Sequence, residues 1–535
     1  MYLIFIVLLF TLAVTDLVVG VSNDAVNFLN SAVGSRAGSR KIILLVAALG
    51  VLAGAMFSSG IMEVARKGIF NPQMFTFSEV MVIFVAVMLA DILLLDVFNT
   101  FGMPTSTTVS IVFDLLGAAV IVSILKLMNM GHSLTEIGQY INSSKAIAII
   151  SGIFLSVIVA FIFGIVGQFF SRLLFSFHYK KRLKKYGGVW GGVSLTILSY
   201  FLLIKGVKGA SFMPESAVLW IDQHNLILLL ASFVLWTTVF QLLVTFTRIH
   251  ILRVIVLMGT FSLAMAFASN DLVNFIGVPL AGLESYRLWG LSGENSDLIM
   301  TGLSGEVYTP SYLLLIAGSI MVVTLWRSRK ARKVTATEVN LARQGEGSEK
   351  FKSNRFVSWL VRFSTYVVDI VADWIPKRFK AEINKKYIPK TYEGKKKPPA
   401  FDLVRASVNL TLASMLISIA TLHKLPLSTT FVSFMVAMGT SLSDKAWGRS
   451  AEYRIAGVFS VVGGWFLTAL IAFVVAGTFA FVIFEAGMAG VIGLVVLLIV
   501  VIAWSTRKHL REYVDEDEQS SVRMNQTEVP ELNKL

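Results

Sequence analysis

The chain has 535 residues, of which 55% are hydrophobic, only 15% are charged and none is cysteine. Its mean hydropathy is +0.73, whereas a soluble domain carries about a quarter charged residues. Disulfides, thiol catalysis and cysteine-held metals are excluded, the six histidines show no metal-ligand spacing, and the formal charge of +14 lies mostly in loops, where cytoplasmic placement explains it without nucleic acid.

In chain order, thirteen apolar runs read as helical spans: 2–19, 42–61, 80–98, 109–127, 146–170, 190–205, 226–246, 254–267, 312–326, 403–422, 431–442, 455–473 and 479–504. Runs of about 18 or more apolar residues match a hydrocarbon layer of roughly 30 Å. They lack the alternation of barrel strands. The first run carries Asp16 and no basic flank, so it reads as a retained span and not a cleaved leader. Two basic stretches, 172–186 and 327–399, are separated by four spans and so share one side, which the charge rule makes cytoplasmic. That places the N-terminus outside and the tail inside. The second stretch holds 19 Lys/Arg against 7 Asp/Glu. Within it, Phe356, Trp359, Leu360, Phe363, Val367, Ile370, Val371 and Trp374 recur at helical spacing, as in an amphipathic surface helix. The polar tail, 512–535, reads as disordered.

A duplication organises the chain. Ser22-Asn23-Asp24-Ala25-Val26-Asn27-Phe28 recurs as Ser269-Asn270-Asp271-Leu272-Val273-Asn274-Phe275, and Pro104-Thr105-Ser106-Thr107-Thr108 recurs as Pro426-Leu427-Ser428-Thr429-Thr430. Asp24 and Ser106 stand 82 positions apart; Asp271 and Ser428 stand 157 apart, or 84 once the 73-residue basic insert is set aside. Seven spans precede the helix of the second S-N-D copy and none the first. That odd number predicts two inverted repeats with discontinuous or re-entrant helices and a midplane site. The chain then divides into a first repeat (1–171), a connecting basic loop with additional spans (172–252), the first part of the second repeat (253–326), the basic insert (327–400), the second part (401–478), a last span (479–505) and the polar tail (506–535).

An ionisable residue at membrane depth costs several kcal/mol unless it faces a cavity, partner or ion. Asp24 with Asn23 and Asn27, and Asp271 with Asn270 and Asn274, supply hard oxygen ligands suited to a small cation such as Na⁺. The bland alternative is that Asp and Asn cap a following helix, which would break the span there. In P-x-S-T-T the proline stops a preceding helix and the hydroxyls cap the next. The helix start then offers free N–H groups and its positive end to an anion. The alternative is hydroxyls bonded back into their own helix. Asp16, Asp91, Asp96, Asp114 and Arg405 also fall in apolar segments and take no assigned role.

These strings resemble the inorganic phosphate transporter (PiT) family of sodium- or proton-coupled phosphate permeases, whose duplicated signature is G-x-N-D-x-x-N followed by P-x-S-T-T. The resemblance rests on Ser22–Asn27 with the N-S-A-V-G run at 30–34, on 269–277, and on both P-x-S-T-T copies. It implies a homodimer of inverted repeats, phosphate contacts at Ser106, Thr107, Thr108, Ser428, Thr429 and Thr430 beside Asp24 and Asp271, and Na⁺ (or H⁺) coordination at Asp24, Asp271, Asn23, Asn27, Asn270 and Asn274. The chain departs from the signature at Val21 and Ala268, where the family has Gly. It also departs at Val109 and Phe431, where many members have His, and in the absence of the usual glutamate before S-T-T, for which Asp91, Asp96 and Asn409 are the nearest polar residues. The implied activity is phosphate symport across the cell membrane by alternating access, with lipids and phosphate as partners and no resident cofactor. A carrier of another oxyanion such as sulfate, or a non-transporting phosphate sensor or receptor, is the alternative; no arrangement for enzymatic chemistry is visible.

Overall fold

The computed structural model describes residues 2–56, 69–201, 214–295, 297–304, 310–344, 377–388, 398–422, 425, 427–444 and 451–528. Among these residues there are helices and two isolated β-bridges, and no strands. The helices that matter here are α1 (Tyr2–Asp24), α2 (Val26–Ser35), α3 (Arg40–Met56), α4 (Phe77–Phe101), α5 (Thr107–Met130), α6 (Ser143–Phe175), α7 (Lys180–Phe201), α8 (Asn225–Phe246), α9 (Ile251–Leu291), α10 (Ser311–Arg327), α11 (Arg329–Leu341), α12 (Leu403–Leu422), α13 (Thr429–Ser443) and α14 (Ala451–Glu528).

Eight of the described helices are long and apolar enough to cross a bilayer, nine if α10 and α11, bent by 70°, form one broken span. Locally the helices depart from the expected runs. α1 and α2 make one run of 34 residues, and the apolar part of α14 one of 54. The break expected between residues 473 and 479 is instead at Gly487, whose φ of 56° only glycine adopts easily. α13 is a 15-residue helix and α10 a 17-residue one, each short of a full span. Two further expectations fail. The polar tail continues as helix to Glu528, since no Gly or Pro interrupts residues 505–528. Arg172, assigned to a basic loop, is buried in the last turn of α6. There its guanidinium donates to Asp402 at 2.7 Å and to Asp444 at 2.6 Å. An ion pair this deep persists only with near-complete pairing, and it pins α6 to the starts and ends of α12 and α13. The expected amphipathic helix around Phe356–Trp374 falls outside the described residues.

Two apolar clusters form the interior. One joins α2, α3, α9, α12 and α13. The other joins α1, α4, α5 and the second part of α14. Small residues set the closest helix contacts, as expected where lipid gives no hydrophobic drive. A Cβ on Gly117 of α5 would stand 2.1 Å from the Phe473 carbonyl of α14, and one on Gly439 of α13 would stand 2.3 Å from the Phe161 carbonyl of α6. Gly117 and Gly439 occupy corresponding positions, eleven residues after Ser106 and Ser428.

Candidate functional site

The two S-N-D copies do not break their helices. Ala25 is helical (φ −53°, ψ −28°), and the ladder runs through it from Val21 to Leu29. The second copy lies inside the 41-residue α9. Asn and Asp disturb a helix when their side chains compete for its backbone. Here those side chains are engaged by other helices. The discontinuities fall at P-x-S-T-T. α4 ends at Gly102 in the left-handed region (φ 65°), and α5 begins after Ser106, whose hydroxyl accepts from Val109 N at 3.2 Å. α13 begins after Ser428, whose hydroxyl accepts from Phe431 N at 3.2 Å. Ser428 also donates to Ser106 at 2.7 Å, so the two helix starts meet cap to cap. Pro426 lies outside the described residues.

The aspartates close this junction in a crossed pattern. Asp24 accepts from Thr107 of its own half at 2.8 Å and from Thr430 of the other half at 3.1 Å. Asp271 accepts from Thr429 of its own half at 2.5 Å and from Thr108 of the other half at 3.2 Å. The Asp+3 amides follow the same rule. Asn27 donates to Thr430 at 2.9 Å, and Asn274 donates to Thr108 at 3.1 Å. All twelve residues expected from the sequence therefore lie on the helices and turns that meet at this junction, and ten of them are buried. Thr108 and Asn270 are half-buried.

Asn23 and Asn270 stand one step back. Asn23 donates to Asn99 at 2.8 Å and to the Met103 carbonyl at 3.1 Å, and its oxygen accepts from Thr105 N at 2.8 Å. It thus holds the turn that positions Ser106. Asn270 points its amide toward Thr421, which corresponds to Asn99. Trp465 braces the junction from α14. Its indole N–H donates to the Pro104 carbonyl at 3.2 Å while its ring stacks on Phe431, centroids 3.8 Å apart. Phe275 packs so closely on Gly20 that a Cβ there would lie 2.0 Å from the ring, which explains glycine at that site. Sequence reasoning missed Asn99, Trp465 and Glu338. Glu338 on α11 is buried and accepts from Asn30, although it belongs to the basic insert. Nothing in local periodicity marks a residue whose role comes from a distant helix.

Chemically the centre is two carboxylates, four threonine hydroxyls, two helix starts and the two Asp+3 amides. The hydroxyls of Thr107, Thr108, Thr429 and Thr430 close the two carboxylates. Two carboxylates buried at one junction favour a small cation, and helix starts rimmed by hydroxyls favour an oxyanion.

A model of the phosphate transporter family matches residues 20–336. A curated protein of Pyrococcus abyssi, named as a candidate phosphate permease, is 26% identical over 299 residues, 56% of this chain and 68% of that protein. A similarly named protein of Pyrococcus furiosus is 23% identical over 365 residues, 66% and 78% of the two chains. Among solved structures, one described as a sodium-dependent phosphate transporter matches with a TM-score of 0.58 at 18% identity, covering 90% of this chain and 98% of that one. At that identity the likeness concerns the fold.

Proposed function

The chain belongs to the phosphate transporter family, a family of membrane carriers and not enzymes, and from that premise we propose that it moves inorganic phosphate by Na⁺ symport through the crossed Asp/Thr centre. The protein is multi-pass, and the cell membrane is its expected location. The observation that carries this reading is that each aspartate accepts from one threonine of each half. The duplicated order of the motifs and the crossed pairing support two inverted repeats that meet at one occluded centre.

The arrangement suggests an order of events. With both carboxylates ionised, Thr107, Thr108, Thr429 and Thr430 spend their donors on Asp24 and Asp271. An incoming phosphate would meet two negative charges and no free hydroxyl. Na⁺ at Asp24 with Asn27, and at Asp271 with Asn274, neutralises the repulsion and releases the hydroxyls. Phosphate then sits between the starts of α5 and α13, held by Ser106, Thr107, Thr108, Ser428, Thr429, Thr430 and the free N–H groups. Asn23 and Asn270 hold the turns and complete the cation surroundings. The halves rock about this point to expose it to either side. Coupling then follows from electrostatics, since the anion binds well only to the cation-loaded centre.

The test is uptake of radioactive phosphate by proteoliposomes holding the purified protein. Uptake should require an inward Na⁺ gradient, collapse in Asp24→Asn and Asp271→Asn, and resist competition by sulfate. Uptake indifferent to Na⁺ or to both substitutions would remove the assignment.

A further inference from the structure

Asp16, Asp91 and Asp114 are fully buried on α1, α4 and α5. Each stands seven or eight residues from a member of the centre on its own helix: Asp16 from Asp24, Asp91 from Asn99, Asp114 from Thr107. At 1.5 Å per residue this is about 11–12 Å, or two turns. The three helices that meet at the centre therefore meet again at a second level. Asp16 lies within electrostatic reach of both Asp91 and Asp114, and Asp114 within reach of Asp91. Ser110 donates to Asp114 Oδ2 at 3.2 Å. Both oxygens of Asp16, both of Asp91 and Oδ1 of Asp114 have no hydrogen-bond partner. Five buried acceptors without a donor would carry a large penalty, so something must fill the site.

The surrounding elements offer no basic group. α1 and α4 contain no Lys, Arg or His, and α5 has only Lys126, which is bonded to Glu79 and the Met74 carbonyl. α9 carries basic residues only at Arg253 and Arg287, near its ends, and Asp271 at its middle; α10 has only Arg327 at its end. From residue 455 to 504, α14 has one charged residue, Glu485. Asp96, five residues beyond Asp91, is taken by Lys330 of α11 and by Ser505, and Lys333 is bonded to the Thr100 carbonyl. The nearest further charge acting on the triad is Asp24 itself. Among the described residues no three acids or histidines are placed together to hold a metal ion. A proton does fit. Between two carboxyls it converts an acceptor into a donor, removes a charge and needs no additional ligand.

The triad is also one-sided. Carrying the Asp24–Asp271 and Ser106–Ser428 correspondences along the helices brings Asp16, Asp91 and Asp114 to Leu263, Ala413 and Val436, all buried and apolar. The helix packing common to both halves does not require carboxyls there. We propose that Asp16, Asp91 and Asp114 form a proton-binding site, separate from the duplicated centre and linked to it through the charge of Asp24. The linkage, though not the site, rests on Na⁺ binding at Asp24. A cation that neutralises Asp24 weakens the triad's hold on its proton, and by reciprocity a loaded triad weakens the cation.

Infrared spectroscopy of the purified full-length protein reads the site without transport. A carboxylic-acid C=O band, to which buried Glu338 also contributes, should be present near neutral pH, shift in D₂O, diminish in Asp91→Asn and fall further in Asp16→Asn/Asp91→Asn/Asp114→Asn. Adding Na⁺ in weak buffer should release protons, seen with an indicator dye, and the triad's share of that release should be lost in the triple variant as well as in Asp24→Asn. Absence of the band in the wild type, or a band undiminished in the triple variant, overturns the site even where phosphate uptake is normal. A band that responds to the triad substitutions, with no proton released by Na⁺, keeps the site and overturns the linkage. The same band without any Na⁺-driven uptake keeps the site and removes the transport reading instead. Should the triple variant fail to fold, the wild-type spectrum and the Asp91→Asn spectrum still decide.

Discussion

The two halves of this chain agree wherever their residues touch the centre and disagree one or two turns away. Asp24 and Asp271, the paired serines, the four threonines and the Asp+3 amides obey one crossed rule. Gly117 and Gly439 bring α5 and α13 equally close to a neighbouring backbone. Beyond the centre, the first half buries the Asp16–Asp91–Asp114 triad where the second has Leu263, Ala413 and Val436. A different polar chain starts in the second half and ends on Ser31 of the first: Thr440 donates to Asn409 at 2.6 Å and Asn409 donates to Ser31 at 3.2 Å. The corresponding positions are Ala118, Val87 and Val278. Polar groups that appear twice belong to a task both halves perform. Polar groups that appear once mark what each half does alone. The distinction matters energetically, because the second-half chain is hydrogen-bonded throughout whereas the triad is not.

The comparison breaks first at the aspartates. Asp24→Asn and Asp271→Asn should each lower Na⁺-driven uptake on the order of 100-fold, a loss of about 2.7 kcal/mol. A large effect in only one half would show that the centre is shared in geometry but not in work. Next come the close helix contacts. Gly117→Leu and Gly439→Leu should each destabilise the protein by roughly 1–3 kcal/mol through overpacking, read as a fall in melting temperature in detergent. Near-equal shifts sharpen the equivalence. The crossed threonines should act more modestly. Thr108→Ala and Thr430→Ala should each weaken apparent Na⁺ affinity about tenfold, and Asn27→Ala with Thr430→Ala should be non-additive by about 0.5–3 kcal/mol. Smallest are the caps. Ser106→Ala and Ser428→Ala each remove one helix cap, costing about 1 kcal/mol of stability.

Much of this centre was readable in the sequence, because duplication makes local motifs stand out against an apolar background. The Ser-Asn-Asp and P-x-S-T-T strings identified every side chain of the crossed pattern. Their capping chemistry located the starts of α5 and α13 correctly. The capping alternative at Asp24 and Asp271, which would have broken the helices there, does not hold, because it considers only what Asn and Asp do to their own backbone. Hydroxyls from other helices satisfy those carboxylates and leave the ladder intact. Arg172 looked like part of a basic loop since its partners, Asp402 and Asp444, are more than 200 residues away in sequence. Span boundaries moved for a similar reason. Whether a helix bends at Gly487 or continues through a polar segment depends on neighbours that no window contains.

The cap-to-cap meeting of α5 and α13 can be tested without reference to any substrate, since the chain has no cysteine of its own. In the Ser106→Cys/Ser428→Cys variant, mild oxidation should join the two positions within one chain, and reduction should separate them again. Two thiols that remain independently alkylatable under oxidising conditions would contradict the structure of the centre.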